Sequence, residues 1–504
     1  MVPHISKVSM NRMNQGEMIP AIILLASGKN DSDENFSKFL DFLGIQYVNA
    51  STRETLLHHI EGGTRCLAAS SHAIGQYKDI EDELYDKISY MLIYEADSTQ
   101  TPVSSSVIIS DQKDICRELS GLSFMPDSEF IFTLNEGTPN IQKLISINGN
   151  ASFAVKQRGN CRIFLLPVGI IDIKRKISGK LTRDDSLLKI APVAMFLRYI
   201  FPECFAADVD RYACLIIDDP LLKESYGFID YYKLLELMDV HNFFTTIALI
   251  PLNYKRTDKK IAALFKQRPD RFSVCVHGCD HTEGEFGKKD PDYFDGKIRL
   301  STARMIEHEK ITGIPYDHAM VFPQGVFSIE AMEALKANHY LAAVNSVLEP
   351  VNGSDYLEVS DYLQCNIMKY GNFPLFVRRL PESLIDFAFD FFWGKPVFMV
   401  IHNDYFRNGY EKLIACIVQF NSLSENIKWK SVGDIIDKFV MKSNVDNDIA
   451  DIDLSGFRTN GFSENVRILI RRYAFECRDN YLCRNDMLLN FATKLKNLII
   501  PFHR

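Results

Sequence analysis

No run of about 18 apolar residues, the length a membrane-spanning helix needs, occurs in the 504-residue sequence. No secretory leader is legible either. The opening, MVPHISKVSMNRMNQGEM, is polar and mixed, and the following IPAIILLA is too short to span and reads as a strand. Positive charge is not in surplus: Lys+Arg number 57 against 65 Asp+Glu, a formal charge of -8 with a pI near 5.9. That balance weighs against general nucleic-acid binding, which needs a dominant positive field to hold phosphates. The eleven cysteines are odd in number and scattered, and several lie inside apolar runs (Cys161, Cys214, Cys275, Cys416), so they read as reduced core thiols and not as a disulfide framework. Gly28 follows the first apolar run, but no GxGxxG or GxxxxGK[ST] accompanies it, which leaves a nucleotide site without a motif. A cytoplasmic protein without an integral membrane segment is expected.

The content, 46% apolar and 24% charged, is ordinary for a globular chain, and 57.7 kDa is enough for two or three domains. Strand and helix signals alternate from the start. Candidate strands are Ile19 to Ala26, Ile45 to Val48, Tyr90 to Tyr94, Val107 to Ser110, Phe130 to Leu134 and Cys161 to Pro167, and NFSKFLDFLG is a helix ended by Gly44. The expectation over residues 1–205 is a smaller, open, mostly parallel α/β (Rossmann-like) domain of unassigned role. Cys66 and His72 could pair as nucleophile and base, but a core thiol and a surface histidine are the commoner outcome. His58 and His59 are adjacent and on a helix point in different directions.

Residues 206–440 repeat strand, loop and helix, as a (β/α) barrel does. Two segments there carry chemistry. CLIIDD, Cys214 to Asp219, is an apolar run ending in two carboxylates; VCVHGCDH, Val274 to His281, is another ending in histidines four residues apart. Both read as buried strands presenting polar groups at their carboxyl ends, where α/β sheets and barrels keep their sites. One Asp and two His supply a donor set suited to Zn²⁺ or another first-row divalent ion. A third run, Val397 to Ile401, ends at His402 and would complete the site. Taken singly, adjacent aspartates are often a helix cap and a solvated neighbour, and spaced histidines are often structural. Cys279 between the histidines is a poorer ligand candidate, since a catalytic ion keeps positions open.

The DD at 218–219, HGCDH at 277–281 and VFMVIHND ending on His402 resemble the NodB-type polysaccharide deacetylase family (carbohydrate esterase 4-like) over about residues 210–435. The resemblance implies a distorted (β/α) barrel with an Asp-His-His metal triad that removes acetyl groups from amino sugars. Carried over by position, Asp219, His277 and His281 match the metal ligands, Asp218 the general base and His402 the general acid. One divalent ion is implied, Zn first, with Co, Mn or Ni as substitutes. Several positions depart from the family pattern: Pro220 replaces a Gly, Gly278 replaces a Ser or Thr, and VFPQG keeps Pro323 and Gly325 but has Phe322 near the expected arginine. Arg378 or Arg379 is the candidate replacement for that arginine. The long gap from His281 to His402 suggests insertions around Asp290 to Gly296 and Asn352 to Asn372.

The chemistry expected is amide hydrolysis: activated water, an Asp218 base, a proton from His402, and a bell-shaped dependence of rate on pH. The substrate expected is an N-acetylated sugar or cytoplasmic glycan precursor. Tyr226, Phe286, Phe327, Tyr405 and Phe406 could stack on a ring, though core or rim packing is the commoner outcome for each taken singly, and Asp404 could orient His402. One rival is a non-catalytic carbohydrate-binding or assembly protein that retains the fold. Another is a two-metal phosphoesterase, for which only Asp280 and Glu283 stand near as further ligands. His308, in RMIEHEK, reads as a residue of a solvated helix face. Residues 441–504 read as an acidic linker and two helices, Asn465 to Glu476 and Met487 to Ile499, packed on the body or on a second copy of the chain; Arg471 and Arg472 there could meet an acidic group.

Overall fold

The computed structural model describes residues 21–25, 30–135, 138–205, 210–224, 226–351, 353 and 356–440. The expected linker and helices of 441–504, with Arg471 and Arg472, lie outside the described residues. The chain forms two compact units. The first comprises the N-terminal residues up to the 209/210 boundary and two segments taken from later in the chain, Tyr356–Gln364 and Ile385–Lys395. The second begins at Asp210 and holds everything else.

The first unit is built on an open nine-stranded sheet. Its strands are β1 (Ile22–Leu25), β2 (Tyr47–Ala50), β3 (Cys66–Ser70), β4 (Tyr90–Tyr94), β5 (Val107–Ile109), β6 (Ser123–Phe124), β7 (Gln142–Ile147), β8 (Asn150–Arg158) and β9 (Cys161–Leu165). They run in the order β2-β1-β3-β4-β9-β8-β7-β5-β6. The five strands from β2 to β9 are mutually parallel, and every pairing beyond β9 is antiparallel. The mostly parallel layer expected is therefore half of the sheet. The reversal between β7 and β8 comes from Asn148 and Gly149, both at positive φ (49° and 81°), the two-residue turn that suits the twist of a hairpin. Phe130–Leu134 is a strand as expected, but it pairs with Ser98–Pro102 outside this sheet. Helix α1 (Asp31–Leu43) is capped by Asn30, whose side chain accepts from the Ser32 N–H, and closes at Gly44 in the left-handed region. Cys66 is buried, burial pushes its thiol pKa up, and His72 pairs with Gln76, so no nucleophile–base pair forms.

The second unit is a closed barrel of seven parallel strands: β10 (Arg211–Asp218), β11 (Thr245–Leu249), β12 (Phe272–His277), β13 (Asp317–Val321), β14 (Ala342–Asn345), β15 (Leu375–Arg379) and β16 (Val397–His402). Each pairs with the next, and β10 closes the ring by pairing with both β16 and β11. A short strand, β17 (Ile427–Trp429), adds to the start of β10. Ala213 to Ile217 are all fully buried, which is what an apolar run covered on both faces requires. The helices of this unit are α2 (Tyr231–His241), α3 (Lys259–Gln267), α4 (Pro291–Thr312), α5 (Ile329–Ala337), α7 (Glu411–Asn421) and α8 (Val432–Phe439), while α6 (Leu384–Phe392) lies almost wholly in a segment assigned to the first unit. Asp290, where an insertion was expected, caps the Tyr293 N–H and starts α4 with Pro291 at its first position. No helix among the described residues is long and apolar enough to cross a membrane.

His308 corrects the surface reading. It is fully buried on α4, with Nε2 2.9 Å from the Thr257 hydroxyl. Burial pushes its pKa down from 6.5 to about 4. The unfolded chain therefore takes up a proton near pH 6.5 that the folded chain accepts only near pH 4. Stability is full above pH 6.5 and falls as pH drops, by about 2 to 3 kcal/mol at pH 4.5 from this residue. Urea unfolding at pH 7.5 and 4.5 checks this: His308→Gln should lose less stability between the two than the wild type.

Candidate metal and active site

The carboxyl ends of three barrel strands deliver the polar groups to one place. Along the β10–β16 pair the register sets Asp218 opposite His402, and β12 ends on His277. Beyond β10 the backbone turns at Asp219 (φ 78°), and beyond β12 it turns at Gly278 (φ 64°) and again at His281 (φ 56°). A left-handed backbone costs a non-glycine residue about 1–2 kcal/mol, and strain of this sort gathers where geometry has to be imposed.

The turns bring three donor atoms together. Asp219 Oδ1 is 3.1 Å from His277 Nε2 and 3.1 Å from His281 Nε2. The other nitrogen of His277, Nδ1, is 2.9 Å from the Val321 carbonyl, which can only accept, so Nδ1 carries the hydrogen and Nε2 faces the cluster with its lone pair. Asp219 Oδ1 is buried and has no hydrogen-bond partner among the described residues. Lone pairs this close repel one another unless a cation or protons lie among them. Ligands sharing a divalent ion at about 2.0–2.2 Å stand about 3 Å apart. The donor set therefore fits such an ion, and Asp219, His277 and His281 are the residues that could hold it.

Protonation competes for the same atoms. Burial lowers the His277 pKa, but the nearby Asp218 charge and the contact with Asp219 outweigh it and leave it raised. Burial likewise raises Asp219, and the two histidines overcome it, holding the carboxyl well below the usual range. An ion must displace the protons these contacts favour, so its affinity should weaken in acid.

Asp218 stands beside the triad, nearly inaccessible, and Arg378 Nη1 on β15 donates to both of its oxygens at 2.7 and 2.8 Å. Of the two arginines weighed from sequence, Arg378 is the one that meets the aspartate. His402 Nε2 lies 3.8 Å from Asp218 Oδ2, with its side chain 52% exposed. Asp404 is exposed.

The aromatic residues divide unevenly. Tyr226, Phe286, Phe327 and Phe406 are 4% exposed or less and serve as packing; Tyr405 alone of the five stays partly exposed. Asp280 is not offered to a second ion, because Lys297 and Arg304 both engage it. Cys279 is buried, and burial pushes its thiol pKa up. Sequence reasoning passed over Glu285, whose carboxylate accepts from three successive backbone N–H groups, those of Cys279, Asp280 and His281.

Gly278 also has a physical reason. A Cβ there would stand 2.4 Å from Pro323 Cγ and 2.7 Å from Glu285 Oε2. The loop before α5 therefore packs directly on the backbone between the histidines. Gly278→Ala is expected to lower stability by at least about 1–2 kcal/mol for the backbone conformation alone, with the clash in addition. Thermal unfolding measures it, and an unchanged Tm would contradict the packing.

No protein-family model and no curated protein matches the chain. Among solved structures it is similar to the Xyl-CE4 domain of a multidomain xylanase from the hindgut metagenome of Trinervitermes trinervoides, at 11% identity over 46% of this chain and 91% of that one, with a TM-score of 0.27. It is similar to a family 4 carbohydrate esterase from Streptomyces lividans, solved with acetate, at 12% identity over 44% of this chain and 93% of that one, with a TM-score of 0.27. It is also similar to a family 4 acetyl xylan esterase from Clostridium thermocellum, solved with a cobalt ion, at 12% identity over 45% of this chain and 90% of that one, with a TM-score of 0.27. Likeness at this level adds nothing to the assignment of the site, which rests on its own geometry.

Proposed function

We propose that the barrel is a metal-dependent hydrolase that removes an acetyl group from an N-acetylated sugar or glycan. The observation that carries the proposal is the convergence of Asp219 Oδ1, His277 Nε2 and His281 Nε2, with the His277 tautomer fixed from behind by Val321. A divalent ion bound there supplies Lewis acidity, making water a better nucleophile near neutral pH and polarising an acyl oxygen. The protein's part is to handle protons on either side of the reacting carbon. Asp218 is the base: Arg378 fixes its carboxylate, and it sits one residue from the proposed ligand Asp219. His402 is the acid that protonates the departing nitrogen, and its exposure leaves it open to substrate. Tyr405, three residues on in the chain and partly exposed, with Lys412 Nζ 4.6 Å from its ring centroid, is the aromatic candidate to meet a sugar ring.

Elemental analysis of the purified protein tests the proposal first. About one Zn²⁺, Co²⁺, Mn²⁺ or Ni²⁺ per chain is expected, with none in the His277→Ala, His281→Ala double variant. Acetate release from N-acetylated oligosaccharides should then vanish on chelation and return with the ion. A wild-type chain that takes up no ion after dialysis against all four would sink the hydrolase and leave a binding protein with the same fold.

A further inference from the structure

The backbone from Gly278 to His281 leaves β12, reverses twice through positive φ and returns the second histidine to the first. Position 278 has no side chain and no room for one, so the shape is held by side chains placed around the Gly278–His281 backbone. Glu285 Oε2 accepts from the Cys279 and His281 N–H groups at 3.1 and 3.2 Å, and Oε1 from the Asp280 N–H at 2.8 Å. The carboxylate is 0% exposed, and its charge is offset by Lys297 Nζ at 3.5 Å. Lys297, Ser301 and Arg304 lie at i, i+4 and i+7, one face of α4. From that face Lys297 binds Asp280, Ser301 donates to the Gly278 carbonyl at 2.8 Å, and Arg304 donates to Asp280 Oδ1 at 2.6 Å and to the Cys279 carbonyl at 3.3 Å. Two buried acids are thus balanced by two bases, and the N–H groups of Cys279, Asp280 and His281 and the carbonyls of Gly278 and Cys279 find their partners without an ion.

We propose that Glu285 is a positioning residue that fixes the Gly278–His281 loop in its ion-binding shape before any ion arrives. This rests on the metal-centre reading above. A glutamine cannot do the same work. With one acceptor oxygen in place of two, it would set its NH₂ against at least one backbone N–H, and it would leave Lys297 short of a counter-charge.

Co²⁺ titration, followed by its visible absorption and by competition with a chelator, tests the proposal on the full chain. Glu285→Gln is expected to weaken Co²⁺ binding about 10- to 100-fold and to alter the absorption band. Glu285→Asp, which keeps both oxygens, should recover part of the loss. A wild-type chain that binds no Co²⁺ overturns the metal-centre reading and this proposal with it. Co²⁺ bound by Glu285→Gln with wild-type affinity and spectrum overturns this proposal alone. Hydrogen exchange on the ion-free wild type decides the matter even if both variants fail to fold. Slow exchange at the amides of Cys279, Asp280 and His281 is expected, and exchange at open-loop rates there overturns the proposal.

Discussion

Asp218→Asn is expected to lower kcat by about 10²- to 10⁴-fold, the usual worth of a positioned general base, with the ion still bound at Asp219, His277 and His281. The substitution keeps the shape of the side chain and one oxygen for Arg378 to meet. It removes the charge that balances buried Arg378 as well as the capacity to accept a proton, so kcat is compared on protein shown by thermal unfolding to be folded. Asp218 is itself no member of the converging triad, so metal content serves as the internal control. A drop in kcat with KM little changed and about one ion per chain would identify the base. Wild-type kcat in a chain that retains its ion would remove Asp218 from the chemistry, and its contact with Arg378 would then be structural. His402→Ala should lower kcat and leave the ion in place.

Arg378→Met is expected to destabilise the barrel by about 3–5 kcal/mol, because it strands a carboxylate in a buried position. The Arg378 and Asp218 side chains are 5% and 2% exposed, so water compensates little. Thermal unfolding should shift down by about 10 °C for a body of this size. Arg378→Lys should recover much of the loss. Arginine is usually irreplaceable where both of its terminal nitrogens engage a carboxylate, but here a single nitrogen, Nη1, reaches both oxygens. A lysine variant as unstable as the methionine variant would show that the planar group matters beyond that one atom.

The polar ends of the barrel strands were legible because chemistry and pattern coincide there: apolar runs buried on both faces, each stopping abruptly on Asp-Asp or on histidine. Closure of the ring was less so, since the pairing of β10 with both β11 and β16 joins segments far apart in sequence. Glu285 was missed because TEGEF looks like a polar loop, and its role depends on where three N–H groups point. His308 was misread by its chemical type. Its spacing from Ser301 and Met305, both fully buried on α4, placed it on the inward stripe. For the aromatic residues near the motifs the commoner reading, packing, holds for Tyr226, Phe286, Phe327 and Phe406, and Tyr405 stays partly exposed. In the first unit the Asn-Gly turn at 148–149 did announce a hairpin, and the general alternation of strand and helix signals concealed it.

The composition of the first unit bears on how the chain can be made. Lys176–Ile177 pairs with Leu357–Glu358, buried Arg198 donates to the Phe392 carbonyl at 2.8 Å, and Trp393 packs on Phe39 and Phe205. A ribosome that has just finished residue 205 has therefore not yet supplied the partners of these groups. At roughly 5–20 residues per second, about 10 to 40 s pass before residue 395 is added. The usual order, in which the N-terminal body completes itself first, is closed to this protein. The nine strands of its first sheet are all made by residue 165, but the groups that the later segments cover must wait, exposed or chaperoned, while most of the barrel is translated, and a gene cut between the two halves would yield no self-sufficient cassette on the upstream side.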